Sequence, residues 1–269
     1  MKCSLCKQIG HNKRSCKKEM DTSKKEMATS KKETDIKVIL DKTVDMTSDE
    51  YNTMISEIVS VSKLIDVKQK ESGSDGRIDS AIKEDPFLKE MKRTLLERNP
   101  HWDIIISPVR ASCDIMINSI RINLKLTDCK SSDNSANKPS IYYSITGDNN
   151  YPYSSNWNEF LDRLMDAKKT NNIKKIRHRP TEYHYLVKNK LTGEVLLKPI
   201  FDIHTYVSNP SNDLQINWKH EFIHKEYHTE DTDYDNKVKS LVRCIQKSVK
   251  EMIERTLRFA EADVDVLFT

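Results

Sequence analysis

Polar and apolar positions alternate with two different periods along the chain, and the periods sort it into elements. From Thr47 onward the apolar residues Met54, Ile55, Ile58, Val59, Val61 and Leu64 recur at helical spacing. Thr47 and Glu50, three apart, form a capping box that opens this helix. A polar segment, 68–77, marks a loop or boundary. Pro86 starts a second helix through Phe87, Leu88, Met91, Leu95 and Leu96, which stops before Asn99-Pro100. Short β-type runs follow at Trp102–Ile106, Asp114–Ile117, Ile120–Leu126 and Ser140–Ile145. A helix is predicted over 156–169. Tyr183–Val187 and Glu194–Ile200, joined through Leu191-Thr192-Gly193, predict a hairpin, with further strands at Phe201–Val207 and Leu214–Trp218. Val238, Leu241, Val242, Ile245, Val249, Met252, Ile253 and Leu257 form the clearest helical stripe. Helices, a strand cluster, mixed elements and a long helix together describe an α/β (α+β) domain.

Composition divides the 269 residues into three parts. Residues 1–34 carry ten Lys/Arg against four Asp/Glu, while the remainder carries 35 against 37. A basic N-terminal piece on a near-neutral body predicts an appended element that seeks polyanions. Within it, KKEMDTS, KKEMATS and KKET repeat a charged unit, with one Met in each full unit. That is too little for a coiled-coil seam, so the repeat predicts a solvated tether. The expected organisation is a small unit at 1–17, a charged linker at 18–46 and a folded domain at 47–269. No apolar run nears the roughly 18 residues of a membrane span, and the start lacks the apolar stretch of a secretory signal. The expectation is an intracellular protein, cytoplasmic or nuclear, whose six cysteines stay reduced.

Cys3, Cys6, His11 and Cys16 read C-x2-C-x4-H-x4-C, a complete tetrahedral ligand set for a structural zinc ion. So short a segment has no core, and metal binding would supply its folding energy. The spacing resembles the CCHC zinc knuckle of retroviral nucleocapsid and single-strand-binding proteins. Ser4-Leu5 and Asn12-Lys13 stand where such knuckles carry base-stacking residues. Lys7, Lys13 and Arg14 remain to hold phosphates, which predicts weak, salt-sensitive binding. A protein–protein knuckle is the alternative.

The stretch Ser112 to Asp128 holds the candidate chemistry of the body. Asn118-Ser119 can turn, making a hairpin that brings Asp114 near Asn123 and Lys125. Counting by two places Arg121, Asn123 and Lys125 on one face, with Ile122, Leu124 and Leu126 on the other. The arrangement resembles the PD-(D/E)XK nuclease superfamily, and the INLKLT string resembles type II restriction endonucleases of the ScaI-like kind. The resemblance implies a restriction-endonuclease-like core, a mixed sheet flanked by helices. It implies a Mg²⁺-dependent DNA endonuclease, and cutting at palindromic sites would favour a homodimer. Asp114 matches the first, metal-binding acid and Lys125 the lysine. Asn123 occupies the second acid position and departs from it. A compensating carboxylate is expected from Glu90 or Glu97 on the preceding helix, with Asp103 and Asp128 as alternatives.

DNA contacts are expected from the polar loop with Asp133, Asn134, Asn137 and Lys138, and from the basic run Lys168, Lys169, Lys174, Lys175, Arg177 and Arg179. Two other functions fit parts of the chain. One is a non-catalytic zinc-knuckle protein that binds nucleic acid without cutting. The other is a metalloprotease, since residues 220–224 read HEFIH and His228 continues the spacing of His220 and His224.

Overall fold

The computed structural model describes residues 46–67, 76–108, 111–130, 132–148, 151, 156–169, 183–224 and 234–261. The zinc-knuckle ligands, the charged linker up to residue 45, and Lys174, Lys175, Arg177 and Arg179 lie outside these residues.

Helix α1 spans Ser48–Leu64, and both halves of its capping box are present. The Glu50 N–H donates to Thr47 Oγ1 at 3.3 Å, and the Thr47 N–H donates to Glu50 Oε2 at 2.8 Å. Tyr51, Met54, Ile58 and Val61 are buried along one stripe. Helix α2 spans Gly76–Arg98, starting ten residues before the proline that the sequence offers as its first turn. Pro86 sits inside it, where it has no N–H for the carbonyl four residues back. Phe87, Leu88, Met91 and Leu95 are buried.

The main sheet has five strands, in the order β1 (Ile104–Ile106), β2 (Ile115–Ile117), β3 (Ile120–Thr127), β5 (Tyr183–Asn189) and β6 (Val195–Pro199). β1, β2 and β3 form an antiparallel meander. β5 returns parallel to β3, with Asn123 beside Tyr185 and Lys125 beside Val187. β6 closes the hairpin antiparallel to β5. Ile120, Ile122, Leu124 and Leu126 pack with Leu186, Val195 and Leu197 against α1 and α2 in one core. Each such buried aliphatic side chain contributes about 1.5–3 kcal/mol. The protein is thus a mixed α/β fold built on a mixed sheet flanked by helices.

A second, antiparallel sheet has the order β4 (Asp133–Ala136), β8 (Leu214–Ile216), β7 (Tyr206–Val207). Three segments differ from the sequence expectation. Ser140–Ile145 belongs to helix α3, Lys138–Thr146, rather than to a strand. The Asn137 side chain caps it by accepting from the Ser140 N–H at 2.8 Å, Pro139 lies in the first turn, and Gly147 ends it at φ 75. All nine residues are buried, so no polar face betrays the helical period. Phe201–Val207 contains the end of a 3-10 turn (Ile200–Asp202) and then the two residues of β7. Leu214–Trp218 is a three-residue strand that passes directly into helix α5, Trp218–Ile223. Helix α4 (Trp157–Lys169) falls within the helix predicted over 156–169, and α6 (Tyr234–Ala260) contains the predicted apolar stripe from Val238 to Leu257. No helix among the described residues is long and apolar enough to cross a membrane.

Candidate catalytic site

The site forms where β2 leaves β3. Antiparallel pairing begins at Ile117 opposite Ile120 and ends at Ile115 opposite Ile122. Beyond that point, among the described residues, β3 keeps a strand neighbour only at β5. Asp114 sits at the fork. Its N–H donates to the Ile122 carbonyl at 2.9 Å, and its Oδ2 accepts from the Leu124 N–H at 2.7 Å. The carboxylate thereby takes an N–H that a longer β2 would have met with a carbonyl. Alternation along β3 turns Ile122 and Leu124 to the helical core and leaves Asn123 and Lys125 on the other face.

Burial pushes the Asp114 carboxyl above its ordinary range, opposed by the Lys125 charge and the Leu124 N–H. Glu84 of α2 joins this group. Burial raises its pKa to about 6, Lys125 lowers it, Asp114 raises it and Lys190 lowers it. Two acids and two lysines therefore share one electrostatic field. Lys190 lies just past β5, its N–H bonded to the Thr127 carbonyl at 2.8 Å.

The expected acids lie elsewhere. Glu90 pairs with Arg93 at 2.5 Å, Glu97 pairs with the same guanidinium, and all three side chains are exposed. At about 100° per residue, Glu90 and Glu97 stand about 120° and 140° around α2 from Glu84. Asp103 belongs to the far end of the hairpin, where its N–H donates to Asn118 Oδ1 at 2.8 Å. Asp128 pairs with Lys130 at 3.4 Å. The sequence reading missed Glu84 because starting the helix at Pro86 left that glutamate outside it. It missed Lys190 because the residue follows a strand and belongs to no motif.

Asn123 is 4% exposed, and its Oδ1 is buried without a hydrogen-bond partner. Tyr183, on the adjacent strand β5, donates its hydroxyl proton to the Ser112 carbonyl. Burial raises the Tyr183 phenol far above its ordinary range, so it stays neutral. Cys113, next to Asp114, has its thiol pushed up by burial to about 11, which makes it a poor nucleophile near neutrality. No three His, Cys, Asp or Glu side chains among the described residues converge as a metal-holding group. Asp114, Glu84 and the Asn123 oxygen instead offer the all-oxygen donors a hard divalent cation prefers.

The other candidate residues divide between fold and surface. Asn137 caps α3. Lys138 is buried, 4.3 Å over the Trp157 ring and 3.4 Å from Asp213, so it braces the fold rather than facing a ligand. Asn134 takes part in β4 through its main chain, opposite Gln215. Lys169 is exposed and pairs with Asp166 at 3.3 Å.

The HEFIH segment lacks zincin geometry. Helix α5 has only six residues. Glu221 is buried, with Oε2 at 2.6 Å from Lys198 Nζ. Its Oε1 accepts from the N–H groups of His204 and Thr205, both at 2.9 Å, and from Thr205 Oγ1 at 2.7 Å. The carboxylate that would activate water is thus consumed inside the fold, while His220 and His224 are exposed on the outside.

No protein-family model matches the chain, and neither a curated protein nor a solved structure does.

Proposed function

We propose that this protein is a Mg²⁺-dependent endonuclease of the PD-(D/E)XK type that hydrolyses DNA phosphodiester bonds, with a zinc knuckle at Cys3, Cys6, His11 and Cys16 aiding nucleic-acid binding. One observation carries the proposal. Asp114 is bonded to β3 between Asn123 and Lys125, at the Leu124 N–H, and the charges of Asp114 and Lys125 both act on the half-buried Glu84. The fork belongs to a mixed sheet flanked by helices, the architecture the nuclease resemblance implies.

Asp114, Glu84 and Asn123 Oδ1 would hold the ion. When bound, Mg²⁺ polarises the scissile phosphoryl group and lowers the pKa of its water. The chain's residues supply the rest. Glu84 must be ionised to serve, which its pKa of about 6 allows at neutral pH. Lys125 Nζ donates hydrogen bonds that orient the attacking water and offset the phosphate charge. Water then attacks phosphorus and releases a proton to solvent, the bond to the leaving oxygen breaks, and that oxygen takes up a proton.

Asn123 in an acid position favours a second reading, in which the same surface binds DNA without cutting it. Replacing Lys125 by Ala separates the two. The nuclease reading expects cutting to fall by about 10²–10⁴-fold while gel retardation of DNA persists. If the Lys125→Ala protein cuts as fast as wild type, the site is not at the fork.

A further inference from the structure

Two main-chain groups at the fork are bonded to side chains where a longer ladder would bond them to each other. The Asp114 N–H donates to the Ile122 carbonyl at 2.9 Å. In an antiparallel pair such bonds recur at every second residue, so the same register carried further would bring the Ser112 carbonyl to the Leu124 N–H. Neither group is used that way. The Ser112 carbonyl accepts from the Tyr183 hydroxyl, and the Leu124 N–H donates to Asp114 Oδ2 at 2.7 Å. Tyr183 reaches Ser112 across β3. It stands on β5 beside Arg121, on the sheet face that Asn123 also occupies. Its side chain is fully buried and edge-on to Tyr185, with 5.6 Å between ring centroids. Burial keeps the phenol protonated, so the donor is present throughout the pH range of DNA cutting. The Asp114 carbonyl accepts from the Ser107 N–H at 2.9 Å, which ties this residue's main chain to the end of β1. These bonds fix the backbone and leave the direction of the carboxylate open. With the Ser112 carbonyl withheld, the carboxylate supplies the acceptor that the buried Leu124 N–H requires.

We propose that Tyr183 is a positioning residue: by holding the Ser112 carbonyl it ends the β2–β3 ladder at Asp114 and turns the Asp114 carboxylate onto the Leu124 N–H, between Asn123 and Lys125. Tyr183 acts on the reaction only through Asp114, so its part in cutting rests on the nuclease reading of the fork.

Amide hydrogen exchange at Leu124 in the full-length chain tests this, with plasmid cutting measured alongside. The proteins are wild type, Asp114→Ala, Tyr183→Phe and the double variant Asp114→Ala/Tyr183→Phe. In Asp114→Ala the Leu124 N–H should lose its acceptor and exchange at least about tenfold faster, because Tyr183 still holds the Ser112 carbonyl. In the double variant the freed carbonyl should take the N–H and slow its exchange again. Tyr183→Phe alone should cut about 10- to 100-fold more slowly, with gel retardation of DNA retained, as the carboxylate loses its place on β3. A Leu124 N–H that stays protected in Asp114→Ala, or wild-type cutting by Tyr183→Phe, would overturn the proposal. So would faster exchange along the whole of β3 in Tyr183→Phe, the mark of a merely structural tyrosine. Should Tyr183→Phe fail to fold, Asp114→Ala decides alone: fast exchange at Leu124 supports the hold of Tyr183 on Ser112, and unchanged exchange overturns it. If Asp114→Ala cuts as fast as wild type, the nuclease reading fails, and the role of Tyr183 in cutting falls with it.

Discussion

The balance of charge around Glu84 makes it the most informative single residue. Its carboxyl is held neutral to about pH 6, above its ordinary 4.5, chiefly by burial. A folded-state pKa above the unfolded value means that the native protein binds the proton more tightly. Stability therefore falls as pH rises from about 4.5 through about 6. Glu84→Gln should consequently raise stability at pH 7, by up to roughly 2 kcal/mol, and lower cutting by about 10- to 100-fold. Urea denaturation at pH 5 and pH 7 checks the first effect, which should be much smaller at pH 5. Wild-type cutting should rise with pH through about 6, and a rate flat from pH 5 to 8 would contradict a role for Glu84. The sequence exposes Asp114, Asn123 and Lys125 because a strand's period of two sorts them by itself. Glu84 is hidden because Pro86 reads as a helix start, and only packing shows α2 running through it. Lys138 misleads in the opposite direction. A lysine in a polar string looks solvated until Trp157, nineteen residues on, is seen beneath it.

Among the elements, the meander and its helices follow from local pattern, and α3 does not. A helix buried on every side has neither an apolar stripe nor a polar one, so its β-rich composition prevails in a sequence reading. The strand-to-helix passage at Trp218 is equally obscure, because a single Asn217 cap separates two apolar segments. Long-range contacts then fix the elements to one another. Lys188 of β5 reaches the end of α1, where Nζ donates to the carbonyls of Ser62 at 2.9 Å, Lys63 at 3.2 Å and Ile65 at 2.5 Å. These are carbonyls that the last turn of a helix cannot satisfy internally. Lys188→Met should cost about 3 kcal/mol, read as a lower urea midpoint. A loss below about 0.5 kcal/mol would mean that water serves these carbonyls equally well.

At the scale of the whole molecule, the proposal joins a cutting domain to a basic arm. Residues 1–34 hold ten of the 45 Lys and Arg residues, so their removal should weaken DNA binding and flatten its dependence on salt. Each lost phosphate contact should reduce the slope of log K against log salt by about 0.9 for duplex DNA. An unchanged slope would remove the arm from the interface. The charge asymmetry behind this expectation is plain in the sequence, as is the zinc-ligand spacing. What a linear reading lacks is the fork itself, because it arises where one strand ends before its neighbour. The central claim is that this fork cuts DNA, and incubation of supercoiled plasmid with the wild-type protein tests it most directly. The expected result is nicked or linear plasmid with Mg²⁺ and intact plasmid with EDTA. Plasmid that stays supercoiled with Mg²⁺, while the protein still retards it in a gel, would contradict the claim and leave a protein that binds without cutting.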